Sequence, residues 1–391
     1  MKLFQSLLVA PAALGLLAPM AVTANTINLA DVSNYSSSEE IENISEFNTA
    51  EELAVTNSRV DGLEARFNNL EAGSFSETTS ASFSADMYLG AVDGGTSTAD
   101  DAVNAAYSFQ IDLTTSFTGE DSLDVSIDAG NSNLAGTSEF DGNTSGDTLM
   151  VDGVSYTFPI GDKITAFVGD NMDGSTLFST ACVYGGPSNT LDDCGNANSA
   201  IAGGSGTAAG ASYEIGNGFT AAIGYTGDGT SANGLMTSEG LDSAAAQLSY
   251  AADSYGASVT YAGVEGATDD TTYWGLNGYW TPSDAGSLPS ISVGYEWGTP
   301  ETSNPDTTHY FVGLQWDEVG PGTFGTAVGT KAPVAGSGAN LAAADELLMY
   351  EAFYSYPVND GMTITPLVYI KEFSAGTTDE TGVMVKTSFS F

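Results

Sequence analysis

The chain reads as all-β, a transmembrane antiparallel β-barrel of about sixteen strands preceded by a short coiled-coil helix. Three observations carry this reading. Many runs alternate apolar and polar residues with period two, the mark of a strand between two different environments. The connections between those runs go long, short, long, short, as in outer-membrane barrels. The final run places Phe391, Phe389, Thr387, Val385 and Val383 on one face and Ser390, Ser388, Lys386 and Met384 on the other, as expected of a closing strand.

Composition narrows the function. Lys and Arg number 7 against 50 Asp and Glu, a net charge of −43, which excludes a phosphate-backbone partner because nucleic-acid binding needs a basic face. Acidity of this degree also keeps a surface hydrated in salty surroundings. Outside the N-terminus there is no run of about 20 apolar residues, so helical membrane spans are not expected. Barrel strands alternate and carry no such run.

The elements follow in order. Residues 1–24 have a single charge at Lys2, an apolar run over 7–20 and Val22-Thr23-Ala24, the pattern of a signal peptide cleaved after Ala24. Export puts the two cysteines in an oxidising compartment. Residues 25–73 form an acidic segment and a short coiled coil. Leu53, Val60, Leu63, Phe67 and Leu70 take a and d positions, and both arginines of the protein, Arg59 and Arg66, lie one heptad apart beside Asp61, Glu64 and Glu71. Fewer than three heptads are marginal for a free helix, so the segment associates with copies of itself or packs on a surface.

Residues 74–391 form the barrel. Phe83, Ala85, Met87 and Leu89 oppose Ser82, Ser84 and Asp86. Val103, Ala105, Tyr107, Phe109, Ile111 and Leu113 oppose Asn104, Ser108, Gln110 and Asp112. Leu123, Val125, Ile127 and Ala129 oppose Asp124, Ser126 and Asp128. Further strands are read at 154–160, 164–170, 209–215, 219–225, 244–250, 255–261, 274–280, 291–297, 310–316, 324–328, 348–356 and 362–370. Short turns fall at 119–121, 161–162, 216–218, 252–254 and 357–361, with 281–289 and 317–322 somewhat longer. The first four long connections are 93–101, 130–147, 171–206 and 227–242. Trp274, Trp280, Trp297 and Trp316 fall on outward faces near strand ends, where an interfacial aromatic girdle would stand.

Several stretches resemble the cyanobacterial outer-membrane porins of the carbohydrate-selective porin (OprB-like) family. In the linker these are Val60-Asp61-Gly62-Leu63-Glu64-Ala65-Arg66, Leu70-Glu71-Ala72 and Phe75-Ser76. In the barrel they are residues 155–163, Gly216-Asn217-Gly218-Phe219, Tyr279-Trp280-Thr281-Pro282-Ser283, residues 288–292, residues 312–317 and Val385-Lys386-Thr387. The resemblance covers nearly the whole mature chain. It implies an outer-membrane channel for small hydrophilic solutes, with sugars implied by the family and inorganic ions, iron included, by its cyanobacterial members. A homotrimer in membrane lipid is expected. The S-layer-homology module usual in this family, which contacts peptidoglycan, is missing here, and that contact is not expected.

With apolar faces outward, the alternation turns Asp86, Asp112, Asp124, Asp128, Glu214, Glu296 and Glu351 inward, against the bases Lys163, Lys371 and Lys386. Such a wall enriches cations in a water-filled tube. The third outer loop, 171–206, is the longest. By analogy with sixteen-stranded general porins it is the constriction candidate, with Asp173, Asp192 and Asp193 as its charges. Cys182 and Cys194 lie in it, twelve residues apart, and are expected to form a disulfide that stiffens it. Asp170-Asn171-Met172-Asp173-Gly174 glances at a calcium loop, but aligning Gly174 to the invariant glycine puts Gly169 and Thr180 where carboxylates are needed. No metal or cofactor is implied.

Enzymatic machinery is scarce. The one histidine, His309, reads as a surface residue at the loop end of a strand, and no second base completes a nucleophilic triad. Two other readings use the same residues: an acidic secreted β-protein or surface adhesin without a channel, and a barrel enzyme built on His309. The first would bury the apolar faces between two sheets.

Overall fold

A computed structural model describes residues 78–391, apart from 97–101, 141, 197–198, 200–204, 231–233, 238–239, 267–268, 284–286, 303–304, 332–333 and 336–345. The leader, acidic segment and coiled coil read from the sequence lie outside the described residues.

The strands are β1 (Thr79–Asp93), β2 (Asn104–Thr115), β3 (Ser122–Gly130), β4 (Met150–Ile160), β5 (Ile164–Asp173), β6 (Ser205–Gly216), β7 (Phe219–Gly227), β8 (Ser243–Ala251), β9 (Tyr255–Val264), β10 (Thr271–Trp280), β11 (Ser290–Pro300), β12 (Thr307–Val319), β13 (Gly322–Thr330), β14 (Val334–Ala335), β15 (Leu348–Asn359), β16 (Met362–Lys371) and β17 (Glu380–Ser390). The two-residue β14 pairs with β12 inside the connection between β13 and β15, which pair directly. The other sixteen each pair antiparallel with the next, and β17 returns to β1 with Ala85 opposite Phe389 and Leu89 opposite Val385. The barrel is therefore closed and has sixteen full strands. At the seam Phe83 and Phe391 exchange two backbone hydrogen bonds of 3.0 Å and stack their rings at 5.9 Å.

Period-two alternation decides which face turns out. Met87, Leu89, Val168, Ile223, Leu248, Leu276, Val293, Val312 and Val368 are exposed on the outer surface. Trp274 and Trp280 are half exposed there, and Trp274 stacks on Trp297 across β10 and β11 at 6.2 Å. A closed sheet satisfies every ladder hydrogen bond internally, so an apolar exterior can stand in hydrocarbon.

Two features depart from the sequence reading. Connection lengths do not alternate throughout: 265–270 and 301–306 are shorter than the turn 281–289 on the opposite rim. The turns read at 317–322 and 357–361 are tighter than that, because β12 and β15 run on through bulges at Trp316/Val319 and Pro357/Asn359.

The inner face is also not polar throughout. Phe311, Ala327, Met349, Phe353, Leu367, Tyr369 and Met384, inward on β12 to β17, form one buried cluster with Tyr88 and Val92 of β1 and with Phe140, Tyr184, Leu191 and Cys194 from two outer loops. Left in a wet lumen, each large apolar side chain would forfeit roughly 2 kcal/mol of burial. The loops fold in to cover them.

Candidate channel lumen

Between β5 and β6, residues 174–196 of the third outer loop run along the inside of the barrel. In its first arm, alternate N–H groups of an extended segment donate to lumen side chains on successive walls. Ser179 donates to Gln247 Oε1 on β8 at 2.7 Å and Ala181 to Ser258 Oγ on β9 at 2.9 Å. Val183 donates to Ser292 Oγ on β11 at 3.0 Å and Gly185 to Gln315 Oε1 on β12 at 2.8 Å. These polar side chains act as rungs for a backbone that would otherwise be unsatisfied. The return arm is held by Asn277 Nδ2 donating to the Cys194 carbonyl at 3.0 Å and by Ser199 N–H donating to Glu296 Oε2 at 2.7 Å. Cys182 and Cys194 are joined as a disulfide that ties the two arms together. Gly294 lets the loop approach: a Cβ there would stand 1.7 Å from the Cys194 carbonyl oxygen.

Tyr184 anchors the loop to the apolar side. Its ring packs against Phe311 at 5.2 Å and Phe353 at 5.8 Å, and its hydroxyl donates to Glu351 Oε1 at 2.6 Å. Burial first, and then the neighbouring carboxylate, push the phenol above its usual range, so it remains a donor at any pH the protein meets.

The second outer loop, residues 131–149, also folds inward, which the sequence reading did not anticipate. Its short 3-10 helix Ala135–Phe140 lies against β1, β2 and β17. Phe140 stacks on Tyr88 at 5.6 Å, Glu139 is ion-paired with Lys371, and Asn189 of the third loop donates to the Glu139 carbonyl at 2.9 Å. The signal for this infolding was present in the inner positions of β15 to β17. There Leu367-Val368-Tyr369-Ile370 and Val383-Met384-Val385 are continuous apolar runs rather than alternating ones.

The open part of the lumen wall lies on β1 to β4. Asp86, Asp112, Asp124 and Asp128 are partly exposed there, among hydroxyl and amide donors. Asp112 accepts Gln110 Nε2 at 2.8 Å and Ser126 Oγ at 2.7 Å. Asp124 accepts Thr114 Oγ1 at 2.8 Å and Ser122 Oγ at 2.7 Å, and Asp128 accepts Asn143 Nδ2. A cavity of about 340 Å³ is lined by Ser84, Asp86, Gln110, Asp128, Asn143 and Asp152, among others. Asp152 was missed by strict alternation, because counting from Val154 turns it outward. The register shift opposite Ser126 and Ile127 inserts it as an extra residue and re-aims it at the cavity. Glu214 is exposed on the inward side of β6, close to the turn.

Other site residues fall elsewhere than expected. Glu296 and Glu351 point inward but are 1% and 3% exposed, covered by the third loop, so neither lines open water. Lys163 is not on the wall. It sits in the exposed turn after β4, with its ammonium 5.9 Å from the ring of Tyr213, an outward side chain. Asp173 ends β5 at the rim, where it accepts Ser205 Oγ at 3.1 Å, and does not enter the constriction. Asp192 and Asp193 do lie in the infolded loop, and with the disulfide they border a cavity of about 230 Å³. Lys371 and Lys386 are inward, Lys371 paired with Glu139 and Lys386 5.9 Å from the Phe140 ring. His309 is buried rather than on the surface. Its Nδ1 is 2.7 Å from Thr330 Oγ1 and its Nε2 is 3.5 Å from Asp193, so it wedges the loop against β12. Among the described residues no group of three acidic, imidazole or thiol side chains could hold a metal ion.

No family model matches the sequence, and no curated protein matches it. Solved structures do resemble its fold. A high-pH structure of Pseudomonas putida OprB has a TM-score of 0.56 at 10% identity, covering 80% of this chain and 94% of that one. The in-vitro folded trimer form of Vibrio cholerae OmpT, an outer membrane protein, scores 0.54 at 10% identity, covering 81% and 100%. The anion-selective porin from Comamonas acidovorans scores 0.54 at 12% identity, covering 80% and 99%. At these identities the likeness is one of architecture: the chain has the sixteen-stranded barrel of outer-membrane porins.

Proposed function

We propose that the chain is an outer-membrane porin through which small hydrophilic solutes, sugars and inorganic ions among them, diffuse passively with a modest preference for cations. One observation carries the reading. A single closed sheet has an apolar exterior and an interior that is acid-lined and narrowed by infolded loops. Asp86, Asp112, Asp124, Asp128 and Asp152 concentrate negative potential along one wall, and a narrow tube with low-dielectric walls focuses it. At high ionic strength the Debye length falls to a few ångströms, which keeps the preference modest. The Comamonas acidovorans porin shares the architecture and is anion-selective, so selectivity belongs to the wall residues rather than to the barrel. The resemblance to OprB-like porins supports sugars as cargo, and the trimer form of Vibrio cholerae OmpT supports a homotrimer in lipid.

The test is single-channel recording in planar bilayers, with the reversal potential measured in a KCl gradient. Discrete conductance steps and a cation-selective potential are expected. Anion selectivity would overturn the role of the acidic wall. A protein that dissolves without detergent and forms no channels would be the secreted adhesin instead.

A further inference from the structure

We infer that Glu139 and Lys371 form a latch that holds the second outer loop inside the barrel and sets both the width of the channel and the charge of its lining; this rests on the porin reading above. The loop is fitted to the wall by missing side chains. Gly90 of β1 and Gly136 of the 3-10 helix face one another so closely that a Cβ on Gly90 would stand 2.0 Å from the Gly136 carbonyl oxygen. A Cβ on Gly136 would stand 2.4 Å from the carbonyl oxygen of Gly90. Asn104 Oδ1 accepts the Gly136 N–H at 2.9 Å, and Ser108 Oγ accepts the Asn143 N–H at 2.7 Å. These contacts align the loop, and the ion pair closes over it. Glu139 is buried and Lys371 nearly so, at side-chain exposures of 4% and 18%.

The pair also removes a positive charge from the lining. Lys371 ends β16 on the inner face, where a free ammonium would offset the acids of β1 to β4. Paired with Glu139 it does not, and among the described residues no basic group is ion-paired with Asp86, Asp128 or Asp152. A carboxylate on an infolded loop, which is not itself part of the open wall, thereby preserves their field. The same loop narrows the passage, because its Asn143 borders the acid-lined cavity. Asn189 of the third loop donates to the Glu139 carbonyl, so releasing the latch also loosens the neighbouring constriction.

Three variants test this in bilayers, with folding checked by heat-modifiable migration. Glu139→Gln frees Lys371: conductance should rise roughly twofold and the cation-to-anion permeability ratio should fall by a similar factor. Gly90→Ala alters no charge but drives the loop off the wall, and should reproduce both changes. Glu139→Gln combined with Lys371→Met releases the loop without leaving a charge, so conductance should rise while the ratio stays as in the wild type. Folded variants that all conduct like the wild type would overturn the latch. A wild-type protein that forms no channels would instead overturn the porin reading.

Discussion

Either side of β5 to β11, whose polar inner side chains hold the third loop, the inner wall has an open half and a sealed half built on opposite rules. On β1 to β4, away from the buried Tyr88 and Val92, the lumen face is aspartate and serine, left open to water. On β12 to β17 it is Phe311, Met349, Phe353, Leu367, Tyr369 and Met384, sealed under two loops. Both halves have the same alternating backbone and the same apolar exterior. The contrast teaches that strand geometry decides which way a side chain points, whereas the loops decide whether that direction is wet. On the proposed function, a passing solute meets the open half and the exposed Glu214 of β6, while the sealed half holds the loops that narrow the passage.

The sharpest challenge to this division is steric. Gly294→Val places side-chain atoms where the Cys194 carbonyl now lies, so the third loop must leave the wall. Single-channel conductance should rise severalfold, and an unchanged value would show that the loop does not narrow the passage. Stability provides the next comparison. Leu367→Ala opens a cavity in the sealed half and should cost about 3 kcal/mol in urea unfolding from lipid vesicles. Leu123→Ala, outward on β3, should cost far less, since surrounding hydrocarbon refills the space. Selectivity separates the halves again. Asp152→Asn should lower the cation-to-anion ratio roughly twofold, read as reversal potential. Glu351→Gln, under the loop, should leave the ratio unchanged.

The smallest effect concerns pH. Asp121 closes the turn before β3. It accepts Tyr156 Oη at 2.6 Å, the N–H groups of Phe117 and Thr118, and the hydroxyls of Ser116 and Thr118. The Tyr156 hydrogen bond first, and the Thr118 amide next, hold its carboxyl well below the usual carboxylate range. A depressed folded-state value contributes stability above the unfolded carboxylate value of about 4, and that contribution is lost as pH falls through the folded one. Heat resistance of the folded band in gels should therefore decline in acid more steeply for the wild type than for Asp121→Asn. Equal slopes would remove Asp121 from the pH response.

How much of this was legible in the residues follows from the same contrast. All sixteen full strands were readable, because a side chain that meets lipid on one face and water on the other leaves a period-two record. The lumen was readable only where it stays open. Glu296 and Glu351 obey the alternation and still do not touch the channel, because what covers them comes from more than ninety residues away in sequence. Asp152 disobeys the alternation through a bulge, which no local pattern distinguished from a regular step. Lys163 lies one residue outside β5, where alternation ceases to constrain direction. His309 looked like a rim residue because its shield, Asp193, is supplied by the loop.

The pairing of β17 with β1 has a consequence for assembly. Before those two strands meet, each presents a row of unsatisfied amide and carbonyl groups, and in hydrocarbon every such group costs several kcal/mol. A partly zipped sheet thus has no comfortable place in a bilayer, so insertion and ring closure must proceed together. Losing the segment around Phe389 should yield aggregates or degradation products rather than a smaller working hole.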